Sequence, residues 1–232
     1  MRDKFALQPA FILHRRAYRD TSLLIEFFTL NNGRISTIAK GAKRSKSSLR
    51  SSLQSFQPLL ITCRGKRELQ TLTQVELQSP FANIHGGYLA WAFYTNELLF
   101  RLLERQEPYP QLFNHYTQLL RNLAENTITE QSLRLFECDL LTELGYGLQL
   151  HHDTNHQALD ANSYYLVIPQ QAPQRTNAAL VNKRIYRGSS LLALRARNLT
   201  QQPALADAKR LLRDALQHLL GDKPLKSREL LI

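Results

Sequence analysis

Apolar residues fall into two regimes along the chain. Up to about residue 80 they come in short runs or alternate with polar residues, and from Ile84 onward they recur every three or four positions. The first regime predicts strands and the second helices, because side chains alternate across a strand but return to one face of a helix after three or four residues. Residues 10–15, 22–30, 34–40, 59–63 and 68–77 read as five strands. Arg19 and Asp20 mark a turn after the first, and Asn31-Asn32-Gly33 a hairpin after the second, since Asn and Gly tolerate the positive φ of tight turns. In the third strand Ile35, Thr37 and Ala39 share a face; in the fifth, Leu69, Thr71, Thr73 and Val75 do.

Helical stripes follow. Tyr88, Trp91, Thr95, Leu98 and Leu102 form one before Pro108, and Leu112, Phe113, Tyr116, Leu119 and Leu123 another after Pro110. Thr127-Ile128-Thr129-Glu130 reads as a capping box ahead of Leu133, Phe136, Leu140 and Leu144, with Gly145 as the stop. Two more helices are predicted over 190–199 and 203–220, where Pro203 suits the first turn and Gly221 the end. Residues 148–188 hold one apolar run and read as irregular.

The expected architecture is therefore α+β and multidomain. A five-stranded β-barrel domain occupies 1–80, and an all-α helical domain occupies 81–232 with an irregular excursion at about 148–188. Five short strands with one long connection after the third follow the chain order of an OB-fold, a small Greek-key barrel that binds single strands. An SH3-like barrel would give a similar periodicity.

Charge sharpens this picture. The chain carries 30 Lys and Arg against 19 Asp and Glu, and residues 1–80 alone hold 14 basic and 5 acidic side chains. Such an asymmetry points to nucleic acid or an anionic membrane surface as the partner of the first domain, with a solvated basic surface as the competing reading. Lys40, Lys43, Arg44, Lys46 and Arg50 follow the third strand, separated by Gly, Ala, Ser and one Leu, the composition of a mobile arm laid along a polyanion. Arg64, Lys66 and Arg67 make a second cationic turn after the fourth strand. With Arg15, Arg16, Arg19 and Arg34 they form the expected path for a phosphate backbone, loop and turn rimming one groove. Tyr18, Phe27, Phe28 and Phe56 are the aromatics that could stack on bases. Phe27 and Phe28 share an apolar strand, so at least one belongs to the core, and Tyr18, beside three arginines, is the strongest candidate.

The longest apolar runs fall short of the roughly 18 residues a membrane span needs, so no membrane partner is expected. The first residues, interrupted by Gln8 and Pro9, do not read as a signal peptide. Cys63 and Cys138 lie far apart in apolar segments, the pattern of buried thiols in a reducing compartment, and a cytoplasmic protein is expected. His151, His152, Asp153 and His156 raise the question of a metal, but their segment has no helical pattern and no Cys, so a polar loop is expected. No phosphate-cradling glycine spacing and no carboxylate pair suited to two-metal chemistry occur in the first domain. Neither a cofactor, a metal nor an enzymatic activity is expected.

Several motifs occur in a telling order: Leu13-His14-Arg15-Arg16 with Tyr18, Asp20-Thr21-Ser22-Leu23-Leu24, Gly33-Arg34, Ala39-Lys40-Gly41-Ala42, Asn96-Glu97-Leu98-Leu99, Leu144-Gly145-Tyr146-Gly147 and Lys226-Ser227-Arg228-Glu229-Leu230. In order and spacing they resemble the bacterial RecO family of DNA repair and recombination mediators. The resemblance implies an N-terminal OB-fold and a C-terminal helical domain. It implies binding to single- and double-stranded DNA, annealing of complementary strands and, with RecR, help in loading RecA onto strands coated by the single-stranded DNA-binding protein, at the nucleoid. It further implies that the acidic, Phe-ending tail of that coating protein docks on the helical domain, where Arg134, with Cys138 and Leu141 on the same helix face, is the expected contact. Some relatives carry a four-cysteine zinc module at about 148–175; no Cys stands there in this chain, and a metal-free loop is expected. An OB-fold RNA-binding protein without annealing activity is the alternative from another class.

Overall fold

In the computed structural model, which describes residues 7–45, 47–65, 68–177 and 184–230, the first third closes into a barrel. Its strands are β1 (Gln8–Tyr18), β2 (Ser22–Thr29), β3 (Gly33–Ala39), β4 (Leu59–Arg64) and β5 (Leu69–Leu77), with the short helix α1 (Ser48–Ser52) in the long connection between β3 and β4. The order around the barrel is β1-β2-β3-β5-β4, with β3 and β5 parallel and β1 closing antiparallel on β4. This is the predicted OB-fold. Ile12, Ile25, Phe27, Ile35, Leu59 and Ile61 fill the interior, and Ala42 and Leu53 from the long connection add to the same core.

Two local readings change. β1 runs past its apolar stretch to Tyr18, because pairing with β2 continues as far as Tyr18 opposite Ser22. In β5 the predicted common face breaks: Thr62 partners Gln74 while Cys63 partners Leu72, so Thr73 is an extra residue in the ladder. A bulge shifts the alternation by one. Leu72 and Val75 therefore turn inward, and Leu69 and Thr71 stay outside.

By packing, α2 (Gly87–Leu102) and α3 (Pro110–Ala124) belong with the barrel, although the sequence pattern changes near residue 80. Phe11 and Phe28 meet Phe113 and Tyr116 of α3 with ring centroids 5.2–6.2 Å apart. Asn96 of α2 donates to the carbonyls of Ile12 and Leu13 at 3.0 and 3.1 Å, and Tyr116 donates to Asn96 Oδ1, so no polar atom of this buried amide is wasted. A closing 3-10 turn (Lys226–Leu230) joins the same unit. Its Lys226 and Ser227 amides and the Ser227 hydroxyl donate to the Glu97 carboxylate at 2.6–3.0 Å.

Burial pushes the Glu97 pKa up, but the hydrogen bonds from Ser227 and Lys226, with Arg101 nearby, outweigh it and hold the group below its ordinary 4.5. A depressed carboxylate lends stability above its unfolded pKa and loses it as pH falls through the folded one. Amide exchange at residues 226–230 should therefore accelerate as pH drops below about 4.5 after correction for intrinsic rates, and Glu97→Gln should flatten that dependence. Equal pH profiles in the two proteins would contradict the assignment.

The second unit, Ile128–Pro224, holds α4 (Glu130–Glu143), α5 (Gly188–Arg195) and α6 (Ala204–Leu220). Thr129, not Thr127, caps α4: its Oγ1 accepts from the Ser132 amide at 3.2 Å. Gly145, at φ +82°, ends the helix, and the Tyr146 amide reaches back to the Leu141 carbonyl at 2.8 Å. Pro203 stands just ahead of α6 as its cap residue and not inside the first turn. The excursion is not wholly irregular, and the unit not wholly helical. β6 (Tyr164–Leu166), β7 (Gln174–Thr176) and β8 (Ile185–Arg187) form an antiparallel sheet in the order β7-β6-β8, with Tyr165 opposite Tyr186 and both buried. Three-residue strands are too short to register as an alternation.

Candidate nucleic-acid interface

The β1–β2 turn and the loop after β3 are joined. Lys43 N–H donates to the Thr21 carbonyl at 2.9 Å, Ala42 is buried at 1% exposure, and Arg44 N–H closes a turn on the Gly41 carbonyl at 3.0 Å. Gly41 supplies the left-handed step that this turn takes, at φ +71°. The start of the cationic loop is thus folded onto the barrel; the expectation of a mobile arm does not hold for residues 40–45. Between turn and loop lies a groove of about 510 Å³ lined by Tyr18, Arg19, Asp20, Ile38, Lys40 and Arg44, among others. Lys40, Lys43 and Arg44 are exposed.

Across the outside of the barrel the strand register builds a row. Arg16 partners Leu24, Leu24 partners Ile38, Ile38 partners Thr71 and Thr71 partners Arg64. Neighbouring strands are about 4.8 Å apart, so the row runs roughly 19 Å along the curved outer surface of the barrel from one arginine to the other, over Leu24, Ile38 and Thr71. The next row carries His14, Glu26, Ser36 and Leu69, of which Leu69 is 42% exposed.

Other predicted residues are placed differently. Arg15 lies in register with the core residue Ile25 and donates through Nη1 to the Leu53 carbonyl at 2.6 Å, so part of its hydrogen-bonding capacity serves the barrel end. Arg34 is half-buried: it stands 3.7 Å from Glu26 and 5.5 Å from the Phe100 ring centroid. Burial lowers its pKa against the pull of Glu26, and Arg105 lowers it further. Arg50 and Arg64 are exposed. Lys46, Lys66 and Arg67 lie outside the described residues.

Arg64, just ahead of the β4–β5 turn, is not among the residues lining the groove beside the loop after β3; its register places it level with Ile38, across β5. Near the turn, Arg105 bridges Glu68 and Glu26 at 3.5 and 3.7 Å. Sequence reading passes over Arg105 and Glu26 because they are far apart along the chain and form no motif. Of the four aromatics, Phe27 and Phe28 are fully buried, and Phe56 is 7% exposed against Phe93. Tyr18 alone of these is half-exposed, with the Arg19 guanidinium 5.3 Å from its ring centroid.

In the second unit Arg134 and Leu141 are buried, and Arg134 pairs with Glu137 at 3.1 Å. Cys138 is partly accessible, its thiol pushed up to about 12 by burial and the neighbouring acids Glu137 and Asp139. It lines a cavity of about 200 Å³ with Leu148, Leu150, Leu194, Arg195 and Arg197, and Arg197 forms a two-point pair with Asp139 at 2.7 and 3.0 Å. The exposed cations beside Cys138 are these two arginines. Among the described residues no three His, Cys, Asp or Glu side chains converge as metal ligands. The buried Asp153 accepts from the Asn155 and Gln157 amides, while His151, His152 and His156 are exposed. No helix among the described residues is long and apolar enough to cross a membrane.

Comparison with known proteins gives matches to two family descriptions, "Recombination protein O N terminal" over residues 1–81 and "Recombination protein O C terminal" over residues 86–229. The chain is similar to proteins named DNA repair protein RecO. That of Nitrosococcus oceani is 43% identical over 229 residues, covering 98% of this chain and 93% of the relative. That of Coxiella burnetii is 40% identical over 232 residues and the full length of both, and that of Haemophilus influenzae is 43% identical over 97% of this chain and 94% of the relative.

Proposed function

The chain belongs to the RecO family of DNA repair proteins, and on that premise we propose that it binds single- and double-stranded DNA, anneals complementary strands and, with RecR, helps load RecA onto strands coated by single-stranded DNA-binding protein. The observation that carries the reading is the joined pair of cationic segments at the barrel end, where Arg19, Lys40, Lys43 and Arg44 stand together on a pinned scaffold. Two strands repel through their phosphates. Fixed cations that neutralise phosphate while leaving base edges free lower that repulsion without blocking pairing. The protein acts here as a mediator in the cytoplasm, at the nucleoid, and makes or breaks no bond. The acidic tail of the coating protein docks on the α4 face that presents Cys138, where Arg195 and Arg197 adjoin a hollow lined by leucines together with Thr142 and His151.

The test is strand annealing with naked strands and with strands coated by single-stranded DNA-binding protein. Faster annealing of both is expected. A protein that anneals only naked strands is a basic adhesive, and the mediator reading then fails.

A further inference from the structure

We propose that the groove between the β1–β2 turn and the β3–α1 loop is a seat for one unpaired nucleotide, with the base against Tyr18 and its phosphate among Arg19, Lys40 and Arg44. The inference rests on the DNA-binding reading and adds a strand-state preference located in a single aromatic residue.

Four observations converge. The groove, about 510 Å³, is in the size range of small-ligand pockets. It combines one half-exposed aromatic ring and the aliphatic Ile38 with three cations against one acid, Asp20. This mixture suits a flat base attached to a phosphate. The walls are preformed, because the Lys43–Thr21 hydrogen bond ties turn to loop and the buried Ala42 anchors the loop below. Ordering the site on binding therefore costs little. Finally, Arg19 holds φ +52°, a left-handed conformation that Asn or Gly adopts with less strain. An arginine kept in such a position, its guanidinium over the Tyr18 ring, marks a place where the side chain matters more than the ease of the turn. The cation braces the ring and remains within reach of a phosphate, while the other candidate aromatics are committed to packing.

The experiment compares the parent with Tyr18→Ala, Tyr18→Phe and Arg19→Asn, using a single-stranded oligonucleotide carrying 2-aminopurine, the same strand as a duplex, and an abasic strand of equal length. For Tyr18→Ala, affinity for the single strand should fall about tenfold more than affinity for the duplex. The change in 2-aminopurine fluorescence on binding should shrink, and the difference between parent and variant should vanish on the abasic strand. Tyr18→Phe should restore the single-strand preference that Tyr18→Ala loses, since stacking uses the ring and not the hydroxyl. Arg19→Asn should melt no lower than the parent yet hold the single strand less tightly. A Tyr18→Ala protein that loses single strand and duplex equally, or loses neither, overturns the seat and leaves DNA binding standing. A parent that binds no DNA at moderate salt overturns both readings.

Discussion

Replacing Gly33 by valine should leave little folded barrel. Gly33 ends the β2–β3 hairpin at φ +58°, and a Cβ there would stand 1.7 Å from the Glu107 carbonyl oxygen and 2.4 Å from its carbon. The obstacle is backbone and has nowhere to go. Gln106 N–H donates to the Arg34 carbonyl at 3.0 Å, and Arg105 is tied to Glu26 and Glu68, so the two residues just before Glu107 are fastened to the barrel. Strain at a left-handed position costs roughly 1–3 kcal/mol, and overpacking about as much again. Displacing the segment would also give up its ion pairs and backbone hydrogen bond, against a total stability on the order of 5–15 kcal/mol. Urea titration should show a collapse of the midpoint or no soluble protein. Gly33→Asn separates the causes: it accepts the dihedral but keeps the clash, and should also be strongly destabilised. A midpoint near the parental value for either variant would mean that the segment yields easily.

Reversing Lys43 and Arg44 to glutamate should act on binding and not on folding, since both side chains are exposed and the Lys43 contact to Thr21 is made by its backbone. Each phosphate contact contributes about 0.9 to the slope of log affinity against log salt on duplex DNA. The double variant should lower that slope by about 2 and weaken affinity on the order of a hundredfold at low salt, for any sequence. The check is a set of binding titrations across salt concentrations with two unrelated sequences. An unchanged slope would move the phosphate path elsewhere, and a loss confined to one sequence would point to base reading.

Much of the fold was legible because local pattern and tertiary burial agree over most of the barrel. The alternation in β3, the Asn-Asn-Gly turn and the long connection before β4 pointed to the chain order that the barrel has, although the periodicity alone would suit an SH3-like barrel as well. The exceptions each have a non-local cause. The extra residue at Thr73 inverts the faces of β5 without leaving any trace in the propensities around it. Ala42, a small residue among cations, gives no periodic signal, yet its burial turns an arm into a fixed wall. Arg34 and Arg134 look like surface cations in the sequence, and both are drawn inward by carboxylates, Glu26 across the sheet and Glu137 one turn along the helix. Charge counts along a chain show how much positive potential exists; only packing shows which side chains can spend it on a phosphate.

The closing turn has a topological consequence. The chain leaves the barrel unit near Thr127 and returns to it at Leu225, so everything between is, in effect, an insertion into that unit. During synthesis the barrel can close early, but the carboxylate of Glu97 must wait for more than a hundred further residues before it meets Lys226 and Ser227. A nascent polypeptide thus exposes the docking face of α2 until residues 226 and 227 have been made, which makes this turn a latch that no shorter piece of the chain can fasten.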